Sequence, residues 1–243
     1  MVRTAAALLI GNELLTGKIQ EANLRVLALA LRSLGIELRR ASMVLDDVET
    51  IAEEVRQLSS SHDVVFTSGG VGPTHDDVTV EAVAKAFGVP VVRSELVATM
   101  LRAHFRERCT EGHLRMALVP EGAELVRNSE IPWPCVVMRN VWLLPGVPEA
   151  FRAKMPLLSE RLEGGRPFVT RSVYTQMDEG ELKPLLDRVV ETHPSVEVGS
   201  YPKWRDPSYK TMLTFDGRDA EAVERAMRDF VDALPKGEPQ RIE

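Results

Sequence analysis

A chain of 243 residues is long enough for one large domain, or for an average one with a smaller companion, and needs no staples to bury a core. Hydrophobic residues make up 44% and charged residues 27%, with a mean hydropathy of -0.11, which excludes a disordered chain and fits a globular one. The net charge of -6 argues against nucleic acid as the main partner, because phosphate backbones are held by many Lys and Arg contacts.

In chain order, the segment Thr4 to Ile10 reads as a buried strand. Its apolar run is cut off by Gly11, Asn12 and Glu13, too early for a signal-peptide core. No stretch approaches the roughly 20 apolar residues of a membrane helix. The two cysteines, Cys109 and Cys135, give no disulfide framework, and the expected home is a reducing cytoplasm.

After the polar loop GNELLTGKIQE, Leu24, Leu27, Leu31 and Leu34 recur at helical spacing up to Gly35. IELRRASMVL then reads as a strand, VETIAEEVRQLSS as a helix, DVVFTS as a strand and DVTVEAVAKAFG as a helix closing at Gly88. Alternation of this length predicts an α/β domain with a mostly parallel sheet and helices on both faces. SELVATMLRAHFRERC predicts a further helix and EGHLRMALVP a shorter one. CVVMRN and VWLLPG predict a strand pair cornering at Arg139-Asn140, and VPEAFRAKMPLLSERLEG a helix bent or broken at Pro156.

Gly164, Gly165 and Pro167 mark the boundary, dividing the chain into 1-165 and 166-243. Beyond it the order strand, helix, strand, strand, helix predicts a small α+β domain.

Four strand-end stretches carry candidate chemistry. In TSGGVGPTHDD, Gly69, Gly70 and Gly72 leave no side chain between backbone and ligand. With Ser68, Val71 and Thr74 they lie at the carboxyl end of a parallel strand, where open α/β sheets bind ligands. Asp76 and Asp77 would repel a phosphate there unless a divalent cation bridged them, and either could instead cap the following helix. The loop matches neither the dinucleotide nor the P-loop fingerprint, so a plain capped turn stands as the alternative. The loop after the first strand offers Gly11, Asn12, Glu13, Thr16 and Asn23, as binding groups or as loop polarity. LDD reads first as a helix N-cap, with Asp46 able to face the same crevice. In LLPGVPEAF, Pro145 and Gly146 could wall a pocket, while Pro148 suits a first helical turn. The histidines form no zinc pattern.

Taken jointly, LIGNELLTGKIQEAN, SGGVGPTHDD and LPGVP resemble the Mog/MoaB molybdopterin-binding family. The similarity is to the branch at the N-terminus of CinA proteins and of animal FAD synthase, and the tail GELKPLL and VGSYP resembles the small KH-type domain of CinA proteins. This resemblance implies a three-layer α/β/α domain that binds a pterin or a nucleotide, followed by a KH-type-like α+β domain. It implies metal-dependent hydrolysis of ADP-ribose or FAD-like dinucleotides, or molybdopterin adenylylation as in Mog relatives. It places the functional aspartates at Asp77 and Asp46, although VLD stands here where relatives often have VPD, and His75 where many have lysine. No deamidase activity is expected of a sequence that stops at Glu243.

The expected mechanism has the loop from Gly69 to Gly72 hold one phosphate. Asp77, with Asp46 or Asp76, holds a Mg, Mn or Co ion against the other, and Glu13 or the spare aspartate accepts a proton. A non-catalytic nucleotide-binding module is the remaining alternative; the expected partner is a small nucleotide or pterin, with neither nucleic acid nor membrane, and the expected assembly is a homodimer.

Overall fold

The computed structural model describes residues 3-205 and 207-243, and the chain divides into two compact units, Met1–Gly165 and Arg166–Glu243. The strands of the first unit are β1 (Thr4–Ile10), β2 (Glu37–Val44), β3 (Val64–Ser68), β4 (Val91–Arg93), β5 (Leu118–Pro120), β6 (Glu124–Val126), β7 (Cys135–Met138) and β8 (Val141–Leu144). Its helices are α1 (Asn12–Leu15), α2 (Asn23–Ser33), α3 (Val48–Ser61), α4 (Thr79–Phe87), α5 (Glu95–Phe105), α6 (Glu111–Leu114), α7 (Pro148–Arg152) and α8 (Met155–Arg161).

Six strands form one sheet in the order β2-β1-β3-β8-β7-β6. The first four run parallel, and β7 and β6 add to the edge as antiparallel neighbours. The unbroken apolar run of β1 from Ala5 to Ile10 follows from its place: it is paired on both sides and covered on both faces, so no position along that run needs a polar side chain. Its side chains alternate between two cores. Ala5 and Ala7 pack with Leu27 and Leu31 of α2, Phe151 of α7 and Leu158 of α8. Ala6, Leu8 and Ile10 pack with Ile51, Val55 and Leu58 of α3 and Val83 of α4. The result is the three-layer α/β/α arrangement, in which each fully buried Leu or Ile contributes on the order of 1.5–3 kcal/mol.

The structure bears out the expected helix break beside Pro156 and corrects several other expectations. The segment from Pro148 to Arg161 is two helices, because Pro156 lies in the first turn of α8, where its missing N–H costs nothing, and the chain turns at Ala153 and Lys154. Helix α5 stops at Phe105 because Arg106 adopts φ +51, and a single 3-10 turn follows. LVP at the end of EGHLRMALVP is strand β5, antiparallel to β4 as a separate ribbon. Strand β6, only three residues long, had no readable alternation.

The β7–β8 corner lies at Arg139 and Asn140, where Arg139 takes φ +55 and Met138 pairs with Val141. Asn140 then ties three elements together. Its Nδ2 donates to the carbonyls of Ser59 and His62, each at 3.0 Å, its Oδ1 accepts from Ser59 Oγ at 2.6 Å, and its carbonyl accepts from Val65 N at 2.9 Å.

The second unit holds β9 (Val169–Thr175), α9 (Glu179–Thr192), β10 (Glu197–Pro202), β11 (Thr211–Gly217), α10 (Ala220–Asp232) and β12 (Arg241–Ile242). Its antiparallel sheet has the order β10-β11-β9-β12, and both helices pack apolar residues such as Leu182, Val223 and Phe230 onto Val173, Leu213 and Phe215. The short β12, added to the outer edge of β9, was not anticipated.

Two outcomes follow from this packing. Asn140→Ala is expected to lower unfolding stability by about 1–3 kcal/mol in urea titration, since it strips donors from two carbonyls at the end of α3. Burial pushes the Cys135 thiol up to about 11, while Cys109 is only half-buried. A thiol reagent at neutral pH is therefore expected to label Cys109 first, and Cys135 at a matching rate only in denaturant, as read by mass spectrometry.

Candidate functional site

The carboxyl ends of β1, β3 and β8 lie side by side, and their loops interlock through glycines. Gly69 takes φ +107, and a Cβ there would sit 2.2 Å from the carbonyl oxygen of Ile10. Gly146 passes so close that its own Cβ would fall 3.2 Å from the Gly69 Cα. The loop after β3 can cross the end of β1 only without a side chain. Gly69 N still donates to the Leu144 carbonyl at 3.1 Å, continuing the ladder one residue past β3.

Asn23, at the start of α2 and buried, joins these loops. Its Nδ2 donates to Ser68 Oγ at 2.9 Å and to the Gly146 carbonyl at 2.8 Å, while its Oδ1 is buried without a partner. The helix itself is capped by Glu21, whose Oε1 accepts from Asn23 N at 2.6 Å and Leu24 N at 2.9 Å.

The loop after β1 is held by a reciprocal pair. Asn12 N donates to Asp46 Oδ2 at 2.8 Å and Asp46 N donates to Asn12 Oδ1 at 3.3 Å. Thr16 Oγ1 closes the short helix α1 by donating to the Asn12 carbonyl at 2.9 Å, and the Glu13 carboxylate folds back over Gly11, 2.5 Å from where a Cβ would stand. The cap of α3 is Asp47, whose carboxylate accepts from Thr50 N at 2.8 Å, which leaves Asp46 to the Asn12 loop.

The capping role expected of Asp76 or Asp77 is not found. Helix α4 starts at Thr79 behind Val78, with no side-chain cap, because Asp77 turns back into the loop to accept from Thr74 N at 2.8 Å. Thr79 anchors the loop instead, its Oγ1 donating to the Gly69 carbonyl at 2.8 Å and its N to the Gly70 carbonyl at 2.9 Å. At the loop tip Thr74 Oγ1 lies 2.5 Å from both Asp76 Oδ1 and Asp77 Oδ2. A threonine hydroxyl carries one proton, so it can satisfy only one of the two carboxylate oxygens. The Thr74 hydroxyl holds the Asp76 carboxyl below the ordinary carboxylate range. The His75 side chain points to solvent, its Nδ1 4.0 Å from Asp76 Oδ1.

Beside this loop opens a cavity of about 850 Å³, within the usual size of small-molecule sites. Of the residues singled out in the sequence, Gly70, Val71, Gly72, Asp77 and Pro145 line it. Gly11, Asn12, Glu13, Thr16, Asn23 and Asp46 do not, since the strand order puts the loops of β2 and β1 on the other side of β3. Ser68, Gly69 and Gly146 form the packed floor described above, and Thr74 and Asp76 stand at the exposed tip.

The remaining wall was missed in the sequence. It comes from Met116, Leu118, Ile131, Trp133, Val136 and Lys154, among others. The rigid run Ile-Pro-Trp-Pro at 131-134 was the one signal that could have drawn attention to it. Nothing marked Lys154, which lies within the segment VPEAFRAKMPLLSERLEG, read only as a helix. Its side chain is buried, its Nζ donates to the Trp133 carbonyl, and burial pushes its pKa down.

A parallel sheet ending in a glycine-crossed loop beside a deep, mostly apolar cavity defines an α/β/α ligand-binding domain. The chain belongs to the family described as "Probable molybdopterin binding domain", which matches residues 6–164, and residues 167–242 match "FAD synthase, middle domain". A protein of Archaeoglobus fulgidus is 37% identical over 225 residues, covering 93% of this chain and 95% of its own length. A "Probable FAD synthase" of Caenorhabditis elegans is 31% identical across 96% of this chain, which spans only 50% of that relative. The crystal structure of a protein CinA of unknown function from Thermoplasma acidophilum superposes with a TM-score of 0.60 at 29% identity, over 65% of this chain and 97% of that one. Among the described residues no helix is long and apolar enough to cross a membrane.

The interlock predicts its own failure. Asn23→Ala is expected to cost about 1–3 kcal/mol by orphaning its buried partners, and Gly69→Ala at least as much through backbone strain and contact with Ile10. Thermal melts of both variants against wild type check this.

Proposed function

We propose that this chain hydrolyses the phosphoanhydride of a dinucleotide, of the ADP-ribose or FAD type, with the help of a divalent cation. The observation that carries the reading is the crowding of Thr74, Asp76 and Asp77 oxygens at the edge of the cavity. Among the described residues no group of three or more His, Cys, Asp or Glu side chains could cage a metal on its own. Two carboxylates and a hydroxyl nonetheless suit a hard cation of the magnesium kind, whose shell is commonly completed by substrate phosphates and water. The donor set fits a cation that arrives with its substrate.

Bound there, a cation would supply Lewis acidity to the phosphate and lower the pKa of a water. The chain's own contribution is positional. Backbone N–H groups of Gly70 and Gly72, which carry no side chains, would hold one phosphate, and Asp77 would orient the other against the attacking water. The water oxygen bonds to phosphorus as the bridging P–O bond breaks, and its proton passes to Asp76, giving two monophosphates. Asp46 serves this site at one remove, by fixing the Asn12 loop beside β3.

A second reading is favoured by the family itself, whose description names molybdopterin: binding of a pterin and adenylylation of it from ATP.

Incubation of the purified chain with FAD, ADP-ribose and NAD, with Mg²⁺, Mn²⁺ or Co²⁺ and with EDTA, decides between them. Metal-dependent release of monophosphates is expected, and Asp77→Asn is expected to lower kcat about 10²–10⁴-fold. No cleavage under any metal, or an Asp77→Asn rate equal to wild type, would falsify the hydrolase reading. Adenylylated pterin without dinucleotide cleavage would establish the second.

A further inference from the structure

Among the described residues Lys154 is the only buried charged side chain, at 8% exposure. It stands in the cavity wall with Trp133, Pro134, Val136 and Ala153, and its one bond is to the Trp133 carbonyl. An ammonium has three N–H donors and no capacity to accept. No carboxylate is paired with it among the described residues, while the polar neighbours Arg115 and Glu130 are exposed at the same cavity. An unpaired cation held in an apolar wall is unfavourable unless a ligand completes it. Trp133 is fixed alongside, edge-packed with the His104 ring at 5.6 Å between centroids and 85° between planes.

We infer that this cavity receives a flat heteroaromatic ring carrying carbonyl oxygens, and that Lys154 is the residue that selects it. The ring lies against Trp133 and its neighbouring prolines, and the Lys154 ammonium donates to a ring carbonyl. A neutral carbonyl suits this wall better than a phosphate, whose charge needs several donors and whose desolvation among Trp133, Pro134 and Val136 is far more costly. Adenine, by contrast, has no carbonyl: its acceptors are ring nitrogens beside an exocyclic amino donor, which suit the ammonium less well than a carbonyl oxygen does. The isoalloxazine of a flavin and the ring of a pterin both carry the required acceptor. The inference rests on taking the Gly-rich loop and cavity as the substrate site, but not on hydrolysis occurring there. Within the proposed reaction it assigns the preferred substrate to the flavin type rather than to ADP-ribose.

The test uses the full chain and phosphate-free, uncharged probes, so that neither metal nor phosphate affinity enters. Riboflavin, a neutral pterin and adenosine are titrated by fluorescence or calorimetry against wild type, Lys154→Met and Lys154→Gln. Wild type is expected to bind riboflavin or the pterin at least about tenfold more tightly than adenosine. Lys154→Met, which keeps the volume of the side chain, is expected to lose that margin by about tenfold or more, as for a lost hydrogen bond to a charged group, with adenosine changed less than about twofold. Lys154→Gln, which retains an N–H donor, is expected to recover part of it. The two carbonyl-bearing probes separate a flavin site from a pterin site. Equal losses for all three ligands, or unchanged riboflavin and pterin affinity in Lys154→Met, overturn the inference. If Lys154→Met does not fold, wild-type affinities decide alone, and adenosine binding as tightly as the carbonyl-bearing rings overturns it. Selective riboflavin binding without FAD cleavage would remove the hydrolase reading and leave this one standing, while FAD cleavage without ring selectivity would do the reverse.

Discussion

The close passage of the β3 loop over the end of β1, with Gly69 against the Ile10 carbonyl, is the contact on which the site depends. A side chain at Gly69 would lift this loop away from β1, and Gly146, Ser68 and Asn23 would lose their mutual contacts with it. The constraint is steric first and polar second. Glycine permits the approach, and the Asn23 amide then bridges two loops that meet only because the approach has been made. Parallel strands make this possible by bringing their carboxyl ends to one edge, where successive loops become neighbours in space while remaining far apart in the chain.

Around that crossing the charges are distributed unevenly. The Asp76 and Asp77 carboxylates gather around the Thr74 hydroxyl, with Asp76 at the exposed tip of the loop, where water screens charge. Among the described residues the one buried positive charge sits in the apolar wall, at Lys154, where little screens it. A substrate with a phosphoanhydride at one end and a ring at the other would meet opposite demands at the two places, a metal-bridged phosphate in the open and a hydrogen-bonded ring in the dry pocket. Trp133 marks the further limit of that pocket, and a smaller cavity of about 260 Å³ lined by Phe105 and His104 lies on from it, sharing Met116, Trp133, Pro134 and Val136.

Much of the architecture was legible because it is periodic. The unbroken apolar run of β1, the leucine spacing of α2 and the VVF of β3 each reflect burial on the faces they occupy, and the three-layer fold follows from their alternation. Elements too short to show a period were misread or missed, among them β5, β6 and β12. Turn chemistry was legible where one residue type has one use, as with Pro148 opening α7. It was ambiguous where a residue has several. Asp76 and Asp77 had the composition of caps, yet Asp77 bonds back to Thr74, because Thr79, not an aspartate, anchors the start of α4.

The sequence by itself determined the alternation of strands and helices, the glycines that a crossing loop requires and the carboxylates carried beside it, because these depend on local periodicity and on the chemistry of single residues. Only the tertiary structure decided which of those residues share a cavity. Asp77 and Pro145 meet there although far apart in the chain, Asp46 is drawn off to Asn12 on the other side of β3, and Lys154 is buried by a wall assembled from residues 115 to 136. Strand order and long-range packing set these neighbours, and neither leaves a mark at the positions it brings together.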